Sequence, residues 1–257
     1  MRRSQLLGAF AGALAVAATL PAAAADQPEV TVFAAASLRE AFEAAAPEFT
    51  RQTGYPVRFS FGGSDTLAAQ LQQGAPADVF ASANEAQMRR VADLVGAPRT
   101  LARNRLVVIV PADDRTVAAL RDLGKVGVKV VLAASTVPAG AYARQSFVTL
   151  ARDPQYGGAF AQRVAANVVS EETDVKAVVT KIVLGEGNAG VVYATDVTPA
   201  VAPKLRVLRF PPGAAPAATY PIATLKGAPN AAGARRFVAF ITSPAGLAYL
   251  KARGFEE

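Results

Sequence analysis

Short apolar runs alternate with helical stripes along almost the whole chain, and this alternation restricts the fold more than any other feature. Val30–Phe33, Val57–Phe61, Val128–Ala133, Ala189–Ala194, Leu205–Phe210 and Thr219–Leu225 read as strands. Between them lie segments with apolar positions at helical spacing, such as Leu38, Phe42, Ala45 and Phe49, or Val175, Val178, Val179 and Ile182. Strands that alternate with helices indicate parallel βαβ units with helices covering both sheet faces. RLVVIV at 105–110, closed by Pro111, suits a buried strand of a parallel sheet, and equally a strand leaving one lobe for another. With 257 residues, 52% of them hydrophobic, the chain can bury two cores.

Several strand-to-helix junctions share one construction. VFAAASLREAF at 32–42 runs from a strand through small residues into a helix, with Ser37 at the junction. FGGSDTLAAQL at 61–71 repeats this with Ser64. Ser135–Gly140 opens a third helix, where Pro138 suits a first position and Ala139 and Gly140 offer amides. A fourth helix starts near Thr173 or Asp174, and its first amides include that of Val175. The first amides of a helix have no partner inside it, so such junctions attract anions. Taken singly, each serine could simply cap its own helix. Pro47 is expected to kink or interrupt the first helix, and Asp78 to fix local backbone.

Composition removes whole classes of chemistry. Cysteine and histidine are both absent, which excludes disulfides, thiolate nucleophiles, histidine-based triads and the usual zinc and copper ligand sets. There is no G-x-S-x-G elbow and no S-x-x-K pair at a turn, which argues against a hydrolase. The net charge of +7 is scattered, with Arg89-Arg90 and Arg235-Arg236 only as pairs. That pattern suits mild attraction of small anions and not nucleic acid, which would want a basic stripe or a recognised motif.

Residues 1–25 read as a secretory signal peptide: Arg2 and Arg3, an apolar Leu6–Leu20, then Ala23-Ala24-Ala25 before Asp26. The expectation is a soluble protein exported to a bacterial periplasm.

The motifs VFAAASL at 32–38, FGGSDTLAAQL at 61–71, GAPADVFASA at 74–83, VPAGAYA at 137–143 and GEGNAGVVY at 185–193 resemble the periplasmic molybdate- and tungstate-binding proteins of ABC importers. The likeness covers essentially the whole chain after residue 25. It implies a two-lobe α/β periplasmic-binding-protein fold, each lobe a mostly parallel sheet flanked by helices, with the ligand cleft between them. Lobe I would comprise 26–105 and 218–257, and lobe II 106–217, joined by crossovers near 103–108 and 214–220.

Carried across by motif, the oxyanion contacts fall on Ser37, Ser64, Ala139, Val175 and Tyr193. The serines would donate from hydroxyl and amide, Ala139 and Val175 from backbone N–H, and Tyr193 from its phenol. Molybdenum would enter only as the bound oxyanion, with no protein ligand to the metal. The resemblance further implies a non-enzymatic, monomeric binding protein with no cofactor, whose cargo is molybdate or tungstate and whose partner is a membrane permease. Asp65 stands where the family has a small neutral residue, and its carboxylate is expected to point outward.

Physical logic runs the same way. Molybdate is a tetrahedral dianion without a proton near neutral pH, so a fitting pocket needs donors only. Phosphate often keeps a proton and wants an acceptor facing it. Sulfate is smaller. These two anions are the alternative ligands. A ferric-ion site would need clustered tyrosines, whereas Tyr193, Tyr220 and Tyr249 are dispersed in sequence.

Overall fold

The computed structural model describes residues 27–256. The signal-peptide segment 1–25 lies outside the described residues. Two five-stranded sheets form the frame. The first contains β1 (Val30–Ala35), β2 (Val57–Gly62), β3 (Val79–Ala81), β4 (Arg99–Asn104) and β10 (Ala218–Thr224), in the order β2-β1-β3-β10-β4. The second contains β5 (Leu106–Pro111), β6 (Val130–Ala133), β7 (Val168–Glu172), β8 (Ala189–Tyr193) and β9 (Leu205–Arg209), in the order β7-β6-β8-β5-β9. The chain crosses between the sheets at Arg105 and again over 210–217.

Both sheets are mixed where mostly parallel ones were expected. β1 pairs in parallel with β2 and β3, but β10 runs antiparallel to β3 and β4. Likewise β6 is parallel to β7 and β8, while β5 is antiparallel to β8 and β9. RLVVIV is therefore a buried strand in an antiparallel setting. The cause is the crossover: β5 and β10 enter their sheets directly from the other half, with no helix to reverse their direction. Leu106–Val110 is nevertheless buried throughout, because helices α4 (Pro138–Leu150) and α6 (Val175–Val183) cover it.

Helix α1 (Arg39–Thr53) continues through Pro47. Both Pro47 and Glu43, whose carbonyl loses its amide partner, lie on the exposed face, where water can satisfy that carbonyl. Phe42 and Phe49 on its buried face meet Phe237 of α7 (Ala231–Ile241) edge-to-face, at 5.7 and 5.3 Å between ring centroids. Asp78 is buried and accepts the Thr31 amide at 2.8 Å and the Asn230 amide at 2.6 Å. It fastens β1 to the start of α7 and has no part in the site below. The remaining helices are α2 (Ser64–Gln72), α3 (Glu85–Arg90), α5 (Phe160–Ala166) and α8 (Pro244–Lys251).

Candidate functional site

Ser37, Ser64, Ala139, Val175 and Tyr193 line one small cavity between the two sheets. The first two come from the half built on β1 and the other three from the half built on β5. Four helix starts thus converge on the cavity: the 3-10 turn Ala36–Leu38 leading into α1, and the starts of α2, α4 and α6.

Capping explains why these starts remain available. The cap positions facing the cavity are Ala35, Gly63 and Val137, and none makes a side-chain cap. Away from the cavity, α3, α7 and α8 are closed by Asn84, Asn230 and Ser243. Leaving out a cap costs a helix about 1 kcal/mol, and in exchange the amides stay open. The fourth start is partly capped. Asp174 Oδ1 accepts the amides of Lys176 at 2.8 Å and Ala177 at 3.1 Å. That leaves the Val175 N–H as the amide of this turn not taken by the cap. Asp174 itself lines the cavity, but its carboxylate turns back onto its own helix.

The serines are not caps. Ser64 Oγ accepts the Ala83 amide at 3.0 Å, so its own proton is left to point elsewhere. Ser37 Oγ lies 2.8 Å from the phenol oxygen of Tyr220, on the crossover strand β10. Tyr220 carries no motif that marks it in the sequence, and only the pairing of β10 into the first sheet reveals it. Tyr193 is buried, its hydroxyl has no hydrogen-bond partner, and its ring meets Tyr220 edge-on at 5.6 Å. Burial first, then the neighbouring Tyr220, push its phenol well above the usual range, so it is a neutral O–H. A buried, unpartnered O–H at a cavity wall indicates a missing acceptor.

Nearby cations are engaged elsewhere. Arg39 lies over the Phe61 ring at 4.5 Å and pairs with Glu43 at 3.2 Å. Lys176 bridges Glu40 at 2.7 Å and Asp196 at 3.2 Å. No group of three or more acidic side chains able to hold a metal occurs among the described residues.

The halves also touch each other directly. Asp65 Oδ2 accepts from Thr136 Oγ1 at 2.6 Å, and Gln87 Nε2 donates to the Thr136 carbonyl at 2.9 Å. Asp65 thus reaches across to the opposite half, where an outward orientation was expected, and it is not part of the cavity wall. A hydroxyl donor on the facing loop holds it there. Lys176 with Glu40 is a third tie.

Asp196 beneath Tyr193 is fully buried, with Oδ2 accepting the Tyr193 amide at 3.0 Å. Burial pushes its carboxyl up from 3.8 to about 6, against the pull of Lys176 and that amide, and with Glu40 adding to the rise. The folded state therefore holds this proton more tightly than the unfolded chain. The group's contribution to stability is greatest below its unfolded pKa and falls as pH rises towards about 6. Asp196→Asn is expected to remove that fall, so that urea unfolding of variant and parent at a series of acid pH values gives diverging slopes. Parallel curves would mean that Asp196 ionises normally.

The comparisons with known proteins point the same way. The family model described as bacterial extracellular solute-binding protein matches residues 30–256. The molybdate-binding protein ModA of Mycobacterium tuberculosis is 38% identical over 95% of this chain and 93% of its own length. That of Escherichia coli is 31% identical, covering 97% of each. The periplasmic molybdate-binding protein of Azotobacter vinelandii superposes with a TM-score of 0.76 over 89% of this chain and 99% of its own, at 24% identity, a match of fold. With its two helix-flanked mixed sheets and a family match from the first strand to the end of the described residues, the chain belongs to the bacterial extracellular solute-binding proteins.

Proposed function

We propose that the protein captures molybdate, or tungstate, outside the cytoplasm and hands it to the permease of an ABC importer. The observation that carries this reading is the donor set of the cavity. Open amides at Ala139 and Val175, two serine hydroxyls whose oxygens already accept or share other hydrogens, and one unpartnered phenol surround a small space. Each is neutral, and the anion would meet N–H and O–H groups. Hydrogen bonds to a charged group contribute about 1.5–3 kcal/mol each, and each helix start adds roughly half a positive charge. Five such contacts outweigh the cost of association, so micromolar or tighter affinity follows.

The half built on β1 to β4 and β10 acts as lobe I, and the half built on β5 to β9 as lobe II. Each supplies part of the donor set, so the anion favours the form in which they meet. Nothing in this set converts a ligand: the cavity holds donors and no base or nucleophile positioned against them. The basic and apolar pattern of residues 1–25, read as a leader, supports a site of action in the periplasm, and the reading takes the protein to act there as a monomer.

Calorimetric titration with molybdate, tungstate, sulfate and phosphate tests the assignment. Strong heat is expected from molybdate and tungstate, with sulfate, the smaller anion, far weaker. Heat from phosphate alone would refute the ligand.

A further inference from the structure

We propose that Tyr220 is a positioning residue that makes Ser37 a pure donor and thereby turns away tetrahedral anions that carry a proton. The proposal rests on the reading of the cavity as an oxyanion site. The direction of the hydrogens can be followed from one end. Asn104, buried at the end of β4, accepts the Arg105 amide through Oδ1 at 2.9 Å, which fixes its side-chain orientation. Its Nδ2 then donates to Thr195 Oγ1 at 2.8 Å and to the Tyr220 hydroxyl at 3.4 Å. Since an amide nitrogen cannot accept, the Tyr220 oxygen is the acceptor there and its own proton is free for Ser37 Oγ at 2.8 Å.

Tyr220 cannot turn away from this role. It is completely buried, and its ring sits edge-on between Tyr193 at 5.6 Å and Phe255 at 5.3 Å. With Tyr220 donating to it, Ser37 directs its remaining proton into the cavity. Ser64 is committed in the same way by the Ala83 amide. Two of the three hydroxyls on the wall are thus arranged as donors by groups behind them. A hydrogen phosphate or hydrogen arsenate would leave its own O–H facing these donors.

The test is Tyr220→Phe, which removes one oxygen and keeps the ring. Molybdate affinity and its displacement by phosphate and by sulfate are measured by calorimetric competition at mildly acid pH, where phosphate is protonated. The expected result is molybdate binding about three- to tenfold weaker, a molybdate-to-phosphate preference lowered at least about tenfold, and an unchanged molybdate-to-sulfate preference. The gain for phosphate should disappear when Ser37→Ala is added, because it acts through Ser37 Oγ. Equal weakening for all three anions, or no change, would reduce Tyr220 to a packing residue and overturn the proposal. Absence of molybdate heat in the parent protein would instead overturn the ligand assignment.

Discussion

Replacing Gly63 with alanine is expected to leave the fold standing and to weaken anion capture by at least about 100-fold, near 3 kcal/mol. The backbone at Gly63 has φ −59° and ψ 133°, ordinary values for any residue, so each lobe folds without strain. Space is what fails. A β-carbon there would sit inside the contact distance of the Thr173 carbonyl oxygen on the opposite half and 2.7 Å from Asp65 Oδ1. Both obstacles resist: one is backbone, and the other is tied to Thr136 at 2.6 Å. The methyl group therefore obstructs the meeting of the halves, and an obstruction confined to one state of a two-state equilibrium shifts it away from that state. Calorimetry gives the affinity, and small-angle scattering shows whether ligand still contracts the molecule. Parent-like affinity in this variant would mean that capture does not require the halves to approach as they do here.

The second large effect is expected from Ser37→Ala combined with Ser64→Ala. Two charge-assisted hydrogen bonds at about 1.5–3 kcal/mol each correspond to roughly 10²- to 10⁴-fold in affinity. Stability should also fall, because losing Ser64 Oγ strands the Ala83 amide, and a buried unpaired donor costs about 1–3 kcal/mol. Urea unfolding of the unliganded variant separates the two contributions: a folded variant that unfolds earlier, yet binds as the parent does, removes these serines from the site.

Much of this was readable beforehand, for physical reasons. Helical periodicity marks α1, α4 and α6 because each buries one continuous face, and glycines and prolines mark their ends. Ser37, Ser64, Ala139 and Val175 lie at strand-to-helix junctions and Tyr193 at a strand end; the resemblance to the family singled out these five positions, and all five line one cavity. What stayed hidden depends on long-range pairing. The antiparallel setting of β5 follows from the direction in which the chain crosses at Arg105, and no local pattern records that. Strand β4, with polar and basic residues along Arg99–Asn104, and the short α5 have little apolar periodicity to mark them. Tyr220 meets Ser37 from 183 positions away, and Asn104 meets Tyr220 from 116 positions away. Asp65 was expected to point outward, but its partner Thr136 belongs to the other half.

The most direct test is a crystal structure of the protein grown with molybdate, with the molybdenum located by its anomalous signal. The account predicts a single strong peak in the cavity, ringed by the Ser37 and Ser64 hydroxyls, the Ala139 and Val175 amides and the Tyr193 phenol, with no charged side chain touching the anion. A peak elsewhere, or an anion held by an arginine or by the Asp174 carboxylate, would contradict it.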